Sequence, residues 1–148
     1  MKKIAQLMVL ALIVSATTFA TNIHDNVNKN VQAAFTQKFT GAKEVSWAST
    51  ENYIKANFQI NGQFMAAYFS GNGNLMGVAR NLLSQQLPIN LQTGLKKELT
   101  GEWISELFEY ATDEETSYYV TVENADQKMV MKSIDSHNWI IIKKTRKN

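Results

Sequence analysis

No cysteine occurs in the 148 residues, and that absence removes disulfide cross-links, thiol catalysis and cysteine metal sites together. Proline occurs once, at Pro88, and histidine twice, at His24 and His137. Histidine is the usual general base and metal ligand near neutral pH, so acid–base and metal chemistry begin with few groups to use. There is no HExxH pair and no serine in a nucleophile-elbow context. The glycine-rich run from Gly71 to Gly77 has neither the P-loop lysine nor dinucleotide spacing, and reads as a β-turn. No catalytic constellation, metal site or cofactor is expected, and the chain reads as a protein without enzymatic activity.

Long apolar runs are also missing, with one short exception at the start. Lys2 and Lys3 precede an apolar stretch from Ile4 to Val14, followed by small residues from Ser15 to Ala20. That order is the pattern of a signal peptide spanning 1–20, too short to cross a bilayer as an anchor. Cleavage is expected after Ala20, with Ala16 as the alternative, leaving 21–148 as a single exported domain without a membrane anchor, periplasmic or secreted. Of the 15 Lys and Arg, two fall within 1–20, leaving 13 against 13 acidic residues. A neutral domain has no general attraction for nucleic acid. Its charge is uneven, however. Glu98, Glu102, Glu106, Glu109 and Asp113 to Glu115 crowd one segment, while Lys143, Lys144, Arg146 and Lys147 close the chain.

What is present is a pattern that comes round twice. Val31, Phe35, Phe39, Thr40 and Gly41 recur as Leu91, Leu95, Leu99, Thr100 and Gly101. The four-residue spacing predicts one helix in each half, and the Thr-Gly predicts its stop. Asp25 reads as the N-cap of the first helix, and Pro88 as the first turn of the second. After each helix come alternating segments: Lys43 to Trp47, Tyr53 to Ile60, Gln63 to Ser70 and Leu75 to Asn81, then Trp103 to Ala111, Thr116 to Glu123, Lys128 to Ile134 and Trp139 to Lys144. Asn61-Gly62 is the clearest hairpin signal. The expected fold class is α+β: two tandem units, about 25–81 and 86–146, each a helix followed by about four antiparallel strands, giving one helical layer on an antiparallel sheet. Leu75 to Asn81 is expected at an exposed edge, where it could pair across a dimer.

The second strand alternates cleanly, with Ile54, Ala56, Phe58 and Ile60 on one face and Tyr53, Lys55, Asn57 and Gln59 on the other. Period two with one polar face marks a sheet open to water on one side. Tyr53, Lys55 and Asn57, with one of Tyr118 and Tyr119 in the second half and Tyr119 chosen, form the candidate binding surface. Tyrosines on an open face present stiff area with a polar tip. Within the acidic segment, alternation sets Glu102 and Glu106 on the face away from Trp103 and Leu107. Asp113 to Glu115 lacks the regular spacing of oxygen ligands of a calcium loop, and an exposed acidic loop is expected there. Both histidines read as solvated loop residues.

A resemblance rests on a helix ending in Ala34-Phe35 and Phe39, then Val45-Ser46-Trp47, an alternating strand, Phe69 before Gly71 and Gly73, and the restart at Leu87-Pro88. In this order the chain resembles the PepSY-like family, the beta-lactamase-inhibitor-like group, over nearly all of Val27 to Lys144. The resemblance implies a tandem helix-plus-sheet fold like that of beta-lactamase inhibitory protein, in a small exported envelope protein of a gram-negative cell without enzymatic activity. The true inhibitor carries disulfides, which this chain cannot form. The partner implied is a protein or peptide of the cell envelope, with inhibition of an envelope hydrolase as one form. The alternative is a small-ligand carrier with a cavity between helices and sheet.

Overall fold

The computed structural model describes residues 27–147. In order they form α1 (Lys29–Lys38), β1 (Lys43–Ser49), β2 (Ile54–Ile60), β3 (Gln63–Phe69), β4 (Leu75–Asn81), a single 3-10 turn (Ser84–Gln86), α2 (Ile89–Glu98), β5 (Trp103–Ala111), β6 (Thr116–Glu123), β7 (Gln127–Ser133) and β8 (Ile140–Arg146). The expected signal peptide, Asp25 and His24 lie outside the described residues. Asn28, three residues beyond the expected cap, closes the start of α1 by accepting from the Asn30 amide at 2.8 Å. Its amide group also donates to the Gly71 carbonyl at 3.1 Å, tying α1 to the turn between β3 and β4.

All eight strands belong to one antiparallel sheet in chain order, β1 to β8. Strand β4 is therefore interior, paired with β3 and β5, and the expectation that Leu75 to Asn81 forms an exposed edge is corrected. The edges are β1 and β8. Asn61 (φ 50°) and Gly62 (φ 78°) both take the left-handed conformation that a two-residue hairpin turn requires.

Ten-residue helices are marginal alone in water, so each depends on the sheet. Val31 and Phe35 of α1 pack with Trp47, Ala56, Phe58, Ala67 and Phe69 of β1 to β3. Phe35 is the hub, meeting Trp47, Phe58 and Phe69 edge-on at 5.0–6.4 Å between ring centres. Leu91 and Leu95 of α2 pack with Leu107, Val120, Val122, Met129 and Met131 of β5 to β7. Fully burying one such side chain is worth roughly 1.5–3 kcal/mol. The same capping bond occurs before each helix: Gln32 donates to the Val27 carbonyl and Gln92 to the Leu87 carbonyl, both at 2.9 Å. On the helix side of the central pair, Arg80 bridges directly across to Glu109 at 2.9 Å. The two apolar clusters occupy the layer between helices and sheet, and the hollow described below lies on the opposite face.

Candidate functional site

Register places every second residue on the face away from the helices. Lys55 lies opposite Tyr68, Asn57 opposite Ala66, Ala66 opposite Ala79, Asn81 opposite Phe108, and Phe108 opposite Tyr119. This face is not open over its whole width. Tyr53, Tyr68, Phe108, Tyr110, Tyr119 and Val130 form a third buried cluster on it. Tyr68 meets Tyr53 and Tyr110 edge-on at 5.4 and 5.8 Å, and Phe108 stacks flat on Tyr119 at 5.0 Å. Small residues make room for the rings. A Cβ at Gly77 would come within 2.4 Å of the Tyr110 ring, so this position has to be glycine for Tyr110 to lie across β4.

Above this layer is an open hollow of about 400 Å³ reaching from β1 to β5. Side chains of five strands share one hollow, so this part of the sheet is concave. Extra residues that interrupt the register in β1, β4 and β5 add local bend and twist. Tyr68 and Phe108 lie in the floor, and Lys55, Asn57, Asn81 and Glu106 stand around it. Phe64, 58 % exposed, projects at the rim.

The charges are few and set apart. Lys55 makes no ion pair among the described residues, and its ammonium lies 5.6 Å from the centre of the Tyr68 ring. Burial pulls its pKa below the ordinary lysine value, with the Glu106 carboxylate pulling partly the other way. Glu106 itself accepts from the Thr121 hydroxyl at 3.4 Å. The phenols of Tyr68, Tyr110 and Tyr119 are pushed above the ordinary tyrosine value, chiefly by burial. They stay protonated at physiological pH and can act only as neutral hydrogen-bonding groups. The hollow can therefore hold an apolar group on its floor and offer an ammonium, the carboxylates of Glu44 and Glu106 and side-chain amides at its walls.

Of the four residues chosen from sequence, Lys55 and Asn57 line the hollow. Tyr53 and Tyr119 do not: they are 7 % and 0 % exposed and form part of the layer beneath. The expectation of displayed tyrosines is corrected, because neighbouring rings and the concave sheet cover them. Lys132 crosses the Tyr119 ring at 5.5 Å, and the Tyr119 hydroxyl is buried without a hydrogen-bond partner. Tyr118, its alternate, faces the helices. Asn81, Glu106, Phe108 and Phe64 are the residues that sequence reasoning missed. Cross-strand register between β4 and β5 would have found the first three, but that pairing bridges the two halves and has no turn signal to announce it.

The acidic segment is dispersed. Glu109 pairs with Arg80 on the helix side, Glu102 accepts from the Thr100 amide at 2.9 Å, and Asp113 to Glu115 form an exposed turn. A bulge at Ser105 puts Trp103 and Glu106 on the same face, contrary to simple alternation, and leaves Trp103 52 % exposed under Lys147. His137 is an exposed loop residue whose amide donates to Asp135. Among the described residues no three of His, Cys, Asp and Glu converge as a metal site.

No family model and no curated protein matches the chain. Solved structures do. A DUF2874 family protein from Bacteroides uniformis is 19 % identical, with a TM-score of 0.71 over 80 % of this chain and 88 % of its own. A BLIP-like protein from Bacteroides fragilis is 17 % identical, with a TM-score of 0.67 over 80 % and 85 %. A protein from Bacteroides eggerthii, provisionally described as periplasmic, is 13 % identical, with a TM-score of 0.73 over 81 % and 88 %. At such identities the likeness is one of fold: two helices on an eight-stranded antiparallel sheet, of the beta-lactamase-inhibitor-like kind.

Proposed function

We propose that the chain is a non-enzymatic binding module of the cell envelope, made of two copies of one helix-plus-sheet unit, whose concave face receives a loop or peptide of a partner protein. The observation that carries this reading is a half-buried, ion-unpaired Lys55 over an aromatic floor, beside an exposed Phe64. A free charge at the wall and an aromatic at the rim are the composition of an interface anchor, while the buried tyrosines supply stiffness beneath it. Exposed aromatic area on a rigid sheet orders little on binding, which lowers the entropic cost of association. The export pattern at 1–20, the likeness to a protein described as periplasmic and the absence of a helix long and apolar enough to span a membrane among the described residues all support an envelope location. The likeness to a BLIP-like protein gives inhibition of an envelope hydrolase as the form to test, by fold analogy.

The test is affinity capture from envelope and secreted fractions with the parent protein and a Lys55→Glu, Phe64→Ala variant as baits. Both substitutions lie at the hollow and leave the three clusters intact. A partner enriched by the parent and reduced at least tenfold with the variant is the expected outcome. Equal retention by both baits would move the binding surface away from this face.

A further inference from the structure

The two edges of the sheet are built differently. At β1, register is interrupted between Lys43 and Ser46, Glu44 takes a positive φ of 53°, and Trp47 is buried. Strand β8 also carries one extra residue, Ile142, in its pairing with β7, but only at β1 does the bulge come with left-handed backbone and a buried ring, which makes β1 the poorer template for a further strand. All seven residues of β8 are exposed, and the strand pairs on one side only, with β7. Ile140, Ile141 and Ile142 stand 57 %, 53 % and 36 % exposed, and neither helix covers them.

The charges of β8 are also unlike those around it. Lys128 and Lys147, its neighbours at the same end of the sheet, are both tied to Glu123, at 3.4 and 2.8 Å. Lys143, Lys144 and Arg146 have no ion partner among the described residues. Register with β7 sets Ile140, Lys143 and Thr145 on the concave side and Ile141, Lys144 and Arg146 on the helix side. Each face of this edge thus carries an isoleucine at one end and unpaired positive charge at the other.

We infer that β8 is an acceptor edge for an extended acidic segment of another protein, added antiparallel as a ninth strand. Main-chain hydrogen bonds would supply the contact, and alternate side chains the choice of partner. The charge pattern selects against a second copy. Full antiparallel overlap of two β8 strands sets Lys143 against Lys143 and every isoleucine against Lys144, Thr145 or Arg146. A strand with apolar residues opposite the isoleucines and carboxylates opposite Lys143, Lys144 and Arg146 meets both halves of the pattern. Opposite charges directly across a strand pair attract, while like charges repel.

The probe is the peptide acetyl-Glu-Thr-Glu-Glu-Val-Ile-Val-amide, written to lie antiparallel to β8, followed by fluorescence anisotropy against the full protein. Three controls accompany it: a peptide with lysine for glutamate, the acidic peptide N-methylated at alternate amides, and a Lys143→Glu, Lys144→Glu variant of the protein. The acidic peptide is expected to bind, to weaken at least tenfold with the variant or with the lysine peptide, and to lose binding on N-methylation. Amide hydrogen exchange should slow in β8 and leave β1 unchanged. Equal binding of the N-methylated peptide would reduce the effect to charge attraction and overturn strand addition. So would absence of peptide binding, or self-association through β8 detected by light scattering. The variant leaves Lys55 and Phe64 in place, so failure here is separable from failure at the hollow.

Discussion

Tyr119 shows how a single residue can be placed on the right face and still be misjudged. Period two correctly sends one of Tyr118 and Tyr119 away from the helices, but it carries no information on how many rings will gather there. Phe108, from the neighbouring strand, stacks on Tyr119, Lys132 crosses its ring, and both rings belong to one buried cluster with Tyr110 and Tyr68. The consequence is a buried phenol hydroxyl that makes no well-formed hydrogen bond, with the Ser117 side chain as a polar neighbour on the same strand face. A buried, unsatisfied polar group costs about 1–3 kcal/mol, while the phenyl ring that carries it contributes through packing. Tyr119→Phe removes the hydroxyl and keeps the stack on Phe108. Urea unfolding should find this variant as stable as the parent or more stable, by about 1 kcal/mol. A loss of stability of similar size would mean that the hydroxyl is satisfied in solution.

At the scale of elements, the sequence was most legible where one local force acts alone. All eight strands and both helices appear where periodicity places them, because each alternating run needs only its own residues and a turn at each end. The Thr-Gly stops also hold: Gly41 and Gly101 take φ of 84° and 143°. Local reading failed where a second force competes. The bulge at Ser105 moves Trp103 to the exposed face, and no residue near it announces an extra position in the strand. The start of α1 differs for a similar reason, since Asn28 both caps the helix and reaches across to Gly71, a tertiary contact that local sequence does not announce. Loss of an N-cap costs typically about 1 kcal/mol. Asn28→Ala loses a cap and a tertiary bond at once, so thermal or urea unfolding should show a loss of about 1–2 kcal/mol. If Asn28→Asp restores most of the loss, the cap dominates; if it does not, the bond to Gly71 does.

For the whole molecule, what sequence alone could not supply was curvature. Eight strands can be counted from periodicity, but a hollow between Lys55 and Glu106 exists only because strands three apart in the sheet are brought round to face the same space. The same large-scale view bears on acid stability, because among the described residues the lowered carboxyl groups lie in the second half of the chain. Glu123 is held down to about 2 from an ordinary 4.5, first by its bond to Lys147 and then by the Ser105 hydroxyl. Asp135 is also held below its ordinary value, by the amides of Asn138 and His137, and Glu102 by the Thr100 amide. A carboxyl group with a depressed folded pKa adds stability above its unfolded value and loses it as pH falls through the folded one. Stability should therefore hold level above about pH 5 and decline between 4.5 and 2. Glu123 and Lys147 join the end of β6 to the end of β8, so hydrogen exchange at falling pH should release β6 to β8 before β1 to β3. Glu123→Gln should lower stability at neutral pH and flatten the acid decline. An unchanged decline in that variant would place the acid-sensitive group elsewhere, with the Asp135 loop the next to test by Asp135→Asn.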